Sequence, residues 1–191
     1  PRRFGKSLFV SQLRYYYGLE HKDQFDNIFG NYYIGKHPTP GANTYHVLYF
    51  EFSRIDTSTA DSTFNGFLKN VKIGIEAFMK TYPLISKTKS KEILLEKSPN
   101  TMLMELFQAY SKCNLYVIID EYDHFANEIL AFNFNGFKSF VSENGFVRKF
   151  YETIKAATGD GIVEYFFGTG VTPITLDSMT SGFNIAKNFS T

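Results

Sequence analysis

The order of apolar and polar positions along the chain predicts helices that alternate with strands. The first predicted helix spans residues 6–17, and Gly18 follows it as a stop signal. Four side chains would share its inward face: Leu8, Phe9, Leu13 and Tyr16. The next stretch, up to about residue 45, is rich in glycine and proline and is expected to be a long irregular connection.

Two further helices are predicted in the middle of the chain. The first ends before Pro83, and its apolar side chains recur at three- and four-residue steps: Phe64, Phe67, Leu68, Val71, Ile75, Phe78, Met79 and Tyr82. We interpret this stripe as core. Residues 86–98 are rich in Lys, Ser and Glu and are expected to form a solvated connector. The second helix, 99–112, would bury Leu103, Leu106, Phe107 and Tyr110.

Three apolar runs predict strands. Residues 47–53 and 162–167 are rich in β-branched and aromatic side chains, and 115–119 is a continuous apolar run typical of a parallel strand buried on both faces. A helix over 146–157 separates the last two. Strands that alternate with helices favour an α/β fold with a mainly parallel sheet, in which ligands bind at the carboxyl ends of the strands.

Composition and charge narrow the class of protein. The chain has 191 residues, of which 43% are apolar and 20% charged, so one globular domain over 1–191 is expected. A formal net charge of +1 gives no support for a nucleic-acid partner. We find no apolar stretch long enough to span a membrane and no leader at the start, which predicts a cytoplasmic protein.

The start of the first helix carries a candidate phosphate-binding loop. Gly5-Lys6-Ser7 is the second half of the Walker A pattern, in which backbone N–H groups surround a phosphate, the Lys contacts the β- and γ-phosphates, and the hydroxyl binds Mg²⁺. The first Gly of the pattern would lie before Pro1. The triplet alone arises by chance in roughly one such chain in ten, so it is a weak signal by itself.

An acidic pair follows the buried strand 115–119. Asp120 at the strand end would hold Mg²⁺, and the adjacent Glu121 would take a proton from the water that attacks the γ-phosphate, as in a Walker B element. The alternative is an acidic strand end that only faces solvent. Two such elements in one chain are far less expected by chance than one, and together they favour ATP and Mg²⁺ as ligands.

Several other residues have two interpretations. Thr169 ends the next strand, where it could bond the γ-phosphate or orient the water, or could be an ordinary turn residue. Arg2 and Arg3 could contact phosphate or pair with surface carboxylates. His124, just past the acidic pair, is expected to be a surface residue rather than a ligand.

These segments resemble the bacterial AAA-ATPase-like domain family. The resemblance is carried by Arg2-Arg3-Phe4-Gly5-Lys6-Ser7-Leu8, by 47–53, by Ile118-Ile119-Asp120-Glu121-Tyr122-Asp123 and by 169–186, which includes Thr180–Ala186. It implies a P-loop NTPase of the additional-strand, catalytic-Glu type, a three-layer sandwich often followed by a PD-(D/E)XK nuclease-like domain. The resemblance carries Lys6, Ser7, Asp120, Glu121 and Thr169 over to nucleotide roles. The full predicted site has nucleotide contacts at Arg3, Phe4, Gly5, Lys6, Ser7 and Leu8, Mg²⁺ ligands at Ser7 and Asp120, and catalytic roles for Glu121 and Thr169. The family assigns no role to Thr180–Ala186.

The predicted activity is ATP hydrolysis by a motor or switch for an attached module. A P-loop kinase is a rival, although Glu121 after Asp120 favours water as the acceptor; a nucleotide-gated scaffold without useful turnover is another. We expect the strand that feeds the phosphate loop to lie before Pro1 and to neighbour the strand that ends in Asp120. Residues 1–191 alone, lacking that strand, are then expected to be inactive.

Overall fold

A computed structural model of the protein describes residues 5–124, 127 and 145–170. The helices are α1 (Lys6–Tyr17), a 3₁₀ helix (Leu19–Gln24), α2 (Phe25–Phe29), α3 (Tyr33–Lys36), α4 (Ala60–Thr81), α5 (Lys87–Leu95), α6 (Pro99–Ala109) and α7 (Phe146–Gly159). The strands are β1 (His46–Glu51), β2 (Leu115–Asp120) and β3 (Val163–Gly168).

The three strands form one parallel sheet in the order β1-β2-β3, which confirms the predicted parallel α/β architecture. Every residue of β2 is buried, as the continuous apolar run predicts for a strand covered on both faces. The register of β1 on β2 runs from His46 opposite Leu115 to Glu51 opposite Asp120. The carboxyl ends of these two strands are therefore level, and the last residues of both meet at one edge of the sheet.

The observed neighbours of β2 differ from the neighbour that we predicted. Both edges of β2 are already occupied, one by β1 and the other by β3, along most of the strand. No position beside β2 is left for a strand that feeds the phosphate loop. The expectation that such a strand neighbours the one ending in Asp120 is therefore wrong.

Helices cover both faces of the sheet. On one face α1 packs Val10 against a cluster made of Tyr45, Val47, Tyr116 and Ile118. On the other face α4, α6 and α7 enclose the larger core, which includes Leu48, Phe50, Val117, Ile119 and Val163. The side chains divide between the faces with a period of two, as they must in a strand. The described residues thus form a helix–sheet–helix sandwich.

The inward face of α1 differs in part from the prediction. Tyr16 is buried and Leu13 packs on the sheet, but Leu8 is 66% exposed and Phe9 is 49% exposed. Val10 takes the inward position, because α1 meets the sheet along the side that carries Val10 and Leu13. Helical spacing alone allows either side of such a helix to turn inward.

The helix α4 confirms the predicted apolar stripe. Its inward residues Phe67, Val71, Ile75, Phe78 and Met79 are buried, as is Tyr82, which follows the helix. A capping box at Thr59 and Ser62 satisfies backbone N–H groups at its start. Gly74 lets the helix lie directly on β1, since a Cβ there would come within 2.5 Å of the Phe50 ring and 2.8 Å of the Tyr49 carbonyl oxygen.

Two connections hold more helix than predicted. Residues 86–98, expected to be a solvated connector, contain the helix α5. The Ser86 side chain accepts a hydrogen bond from the Lys89 N–H at 3.1 Å, which caps the helix, and Ile93 and Leu94 pack against the core. The stretch between α1 and β1 likewise contains short helices. Across the described ranges, no helix combines the length and the apolar character needed to cross a bilayer.

Candidate active site

The start of α1 has the backbone geometry of an anion-binding helix end. Gly5 adopts φ 77°, ψ 14°, a left-handed conformation that favours glycine, and its carbonyl oxygen accepts the first helical hydrogen bond, from the Phe9 N–H at 2.9 Å. The N–H groups of the first turn have no partner within the helix. Among the described residues no side chain caps this end, and its first turn holds no acidic residue. The positive end of the helix dipole is thus open to a negatively charged group.

The end of β2 brings the acidic pair to the same place. Asp120 is 2% exposed, and its Oδ1 is buried without a hydrogen-bond partner among the described residues. Glu121 adopts φ 54°, which is uncommon for a residue other than glycine and turns the chain sharply off the strand. The Glu121 Oε1 lies 3.9 Å from the Lys6 Nζ, so the turn after β2 and the first turn of α1 meet.

These residues line one cleft of about 550 Å³ at the carboxyl edge of the sheet. Its walls come from α1, from the ends of β1 and β2 and from the turns that follow them: Lys6, Ser7, Tyr49, Glu51, Ser53, Arg54, Asp120, Glu121 and His124. The lining thus carries three carboxylates and two permanently cationic side chains. Such a cleft is suited to a polyanion that arrives with a divalent cation, since the cation offsets the carboxylates.

Tyr49 lies in the cleft close to charged groups of both signs. Burial raises the pKa of Tyr49 to about 12, and the negative charges of Asp120 and Glu51 add to the effect. Arg14 of α1 acts in the opposite direction, with its guanidinium carbon 4.2 Å from the centre of the Tyr49 ring. Asp120 and Glu51 each come two residues after a side chain of the α1-side cluster, Ile118 and Tyr49 respectively, so both carboxylates lie on the α1 side of the sheet.

Thr169 is held against the end of β2 by its backbone. Its N–H donates to the Ile119 carbonyl at 2.9 Å, and its carbonyl accepts from the Tyr122 N–H at 3.0 Å. The next residue, Gly170, lies close to the acidic turn: a Cβ at this position would be 2.4 Å from the Asp123 Oδ1. Thr169 is buried beside the acidic turn, but it is not among the residues that line the cleft. Its role in catalysis stays a prediction.

The sequence-predicted site residues divide into three groups. Lys6, Ser7, Asp120 and Glu121 lie together in the cleft, with Gly5 next to them at the helix start. Leu8 is not among the residues that line the cleft and is mostly exposed, so nothing in the geometry singles it out as a nucleotide contact. Arg2, Arg3, Phe4 and Thr180–Ala186 lie outside the described residues. Within the described part of the chain, no group of three or more His, Cys, Asp or Glu is arranged to hold a metal ion.

Five cleft residues were not predicted as site residues. Glu51 is the last residue of β1, and Ser53 and Arg54 come just after it; the signal that could have found them is the rule that parallel strands end at the same edge. Tyr49 precedes them on the same face of β1. His124, expected to be a surface residue, is partly buried in the cleft wall.

Comparison with known proteins places this site in a family. A family model described as "Predicted AAA-ATPase", of the AAA-ATPase-like family, matches residues 1–180. No curated protein and no solved structure matches the chain. The match covers both halves of the cleft, the start of α1 and the acidic turn after β2. The chain therefore belongs to the AAA-ATPase-like family.

Proposed function

We propose that the protein binds Mg-ATP in this cleft and hydrolyses the γ-phosphate. The observation that carries the proposal is the meeting of Lys6 and Ser7, at a helix start that no described side chain caps, with Asp120 and Glu121 at the end of β2. A phosphate group at the helix start is favoured by the N–H groups that point out of the first turn and by the helix dipole. The family assignment independently supports ATP as the nucleotide.

Each residue has a distinct task in this proposal. The Lys6 ammonium neutralises the β- and γ-phosphates, and the Ser7 hydroxyl and Asp120 carboxylate would hold Mg²⁺. The Asp120 carboxylate fits Mg²⁺, which prefers oxygen ligands. A buried carboxylate oxygen without a hydrogen-bond partner among the described residues is costly unless a cation compensates it. Mg²⁺ would supply positive charge at the phosphate oxygens.

Glu121 is the proposed general base. Its carboxylate lies in the cleft beside Lys6, where it can accept a proton from the water that attacks the γ-phosphate. Thr169, fixed beside the same turn, is the proposed second polar group near the γ-phosphate. Catalysis would rest on position and electrostatics, as is general for phosphoryl transfer. We further propose that hydrolysis drives or switches an attached module, such as a nuclease-like domain.

Single-turnover hydrolysis by the full-length protein tests this function. Protein in excess over ATP radiolabelled at the γ-phosphate should release labelled phosphate when Mg²⁺ is present. It should release none when EDTA removes the Mg²⁺. Binding of ATP without phosphate release would contradict hydrolysis and favour the nucleotide-gated scaffold. Transfer of the label to another molecule instead of water would favour the kinase.

A further inference from the structure

A third carboxylate stands beside Asp120 in the cleft. Glu51 ends β1, and its Cα pairs in register with that of Asp120 across the parallel sheet. Neighbouring strands are about 4.8 Å apart, and residues in register point to the same face. Like charges placed opposite each other on a sheet are destabilising, so this pair costs stability in the absence of a compensating charge.

The Glu51 side chain is oriented by its own chain. Its Oε1 accepts a hydrogen bond from the Ser53 N–H at 2.9 Å, and the Phe52 N–H donates to the Asp120 carbonyl oxygen at 3.2 Å. The first bond holds the Glu51 side chain against its own turn, and the second joins that turn to the end of β2. The Glu51 carboxylate is thereby held in the cleft wall instead of extending into solvent.

Asp120 supplies the separate indication that a ligand binds between the two. It is 2% exposed, it lines the cleft, and its Oδ1 has no hydrogen-bond partner in the described part of the chain. A buried carboxylate in that state is costly unless a cation compensates it, and the neighbouring Glu51 adds to the negative charge that a cation would offset. Mg²⁺ is commonly bound through one or two carboxylates, retained waters and substrate phosphates, which matches a site with two protein carboxylates.

We propose that Glu51 is the second carboxylate of the magnesium site, acting with Asp120 on the ion or on its bound waters. This inference rests on the proposed function, since it concerns the Mg²⁺ that accompanies ATP. It gives Glu51 a role in metal affinity and leaves the proton transfer to Glu121. The protein should therefore require more Mg²⁺ for the same occupancy of Mg-ATP when Glu51 loses its charge.

The proposal is tested by measuring Mn²⁺ binding to the full-length protein in the presence of ATP. Electron paramagnetic resonance detects the bound ion. Glu51→Gln keeps an oxygen that can accept from Ser53 and removes only the charge, so the turn should be preserved. We expect the Mn²⁺ affinity to fall roughly tenfold, in the range measured when residues that support a metal site are replaced. Glu76→Gln, an exposed carboxylate on α4, is the matched control for net charge and should stay within twofold of wild type.

The possible failures are distinguishable. If the wild-type protein binds no Mn-ATP, the proposed function fails and this inference fails with it. If wild type binds Mn-ATP and folded Glu51→Gln binds the ion equally well, only the role of Glu51 is overturned. Should Glu51→Gln not fold, Glu51→Asp replaces it: its shorter side chain should weaken Mn²⁺ binding at least threefold, and wild-type affinity in that variant would also overturn the proposal.

Discussion

The Lys6 Nζ lies 3.9 Å from the Glu121 Oε1, and this approach joins the first turn of α1 to the turn after β2. Both side chains are largely shielded, with 21% and 23% of their surface exposed. A phosphate group that binds Lys6 must compete with the Glu121 carboxylate for the same ammonium. In the proposed function, nucleotide binding at Lys6 and the position of Glu121 would therefore be coupled through this ion pair.

Glu121→Gln should separate binding from hydrolysis. The amide keeps the shape of the side chain but cannot accept the proton, so hydrolysis should slow by roughly 10²- to 10⁴-fold. Mg-ATP affinity should be equal or higher, because the competitor for Lys6 is no longer charged. Phosphate release and equilibrium binding are measured on the same preparation, and turnover at the parent rate would move the role of base to another residue.

Gly74→Ala should destabilise the protein by about 1–3 kcal/mol, the usual cost of an overpacked core. The new Cβ would come within 2.5 Å of the Phe50 ring and within 2.8 Å of the Tyr49 carbonyl oxygen, so α4 and β1 must separate. Gly159→Ala is the matched control, because a Cβ there meets nothing within 4 Å. Chemical denaturation of both variants is the measurement. Equal stabilities would show that α4 does not lie as closely on β1 as described.

Tyr49→Phe should reduce the loss of stability at alkaline pH. The folded-state pKa of about 12 exceeds the ordinary value of 10.0, so the folded protein holds this proton more tightly than the unfolded chain. The stabilisation is fully present below pH 10 and is lost as the pH rises from 10 through 12. Other buried tyrosines, including Tyr116 and Tyr151, have pKa values raised by burial and will contribute in both proteins.

The prediction for Tyr49 is tested by comparing how much the free energy of unfolding falls with pH in wild type and in the variants. Denaturation curves at pH 9 and pH 11 should show a smaller drop in the free energy of unfolding for Tyr49→Phe than for wild type. Tyr32→Phe, at a position 64% exposed, removes a surface hydroxyl and serves as control. An identical drop in all three proteins would contradict the burial of Tyr49 beside Asp120 and Glu51.

Local pattern was enough to predict the main elements of the fold. The period of three to four in Phe67, Val71, Ile75 and Phe78 reflects one buried face of α4, and the apolar run 115–119 reflects a strand covered twice. Each pattern depends only on which faces of that one helix or strand are buried, and not on how it meets another element. For that reason α1, α4, α6, β1, β2, α7 and β3 were predicted close to their observed bounds.

Properties that depend on how elements meet were not predictable in the same way. Glu51 belongs to the cleft because β1 pairs with β2 in a particular register, and no local pattern in one strand fixes its register on another. The exposure of Leu8 depends on which side of α1 meets the sheet. The helix α5 is anchored by the neighbours Ile93 and Leu94 and by the Ser86 cap, which are too few positions to produce a periodic signal.

The central claim is that the cleft between α1 and the end of β2 binds Mg-ATP, and calorimetric titration of Lys6→Ala tests it most directly. Removing the ammonium should weaken Mg-ATP binding by the full-length protein at least tenfold, about 1.4 kcal/mol for one charge-assisted contact. Lys91→Ala removes an exposed Lys from α5, on the opposite face of the sheet, and should bind as wild type does. A folded Lys6→Ala protein with the wild-type affinity for Mg-ATP would contradict the claim.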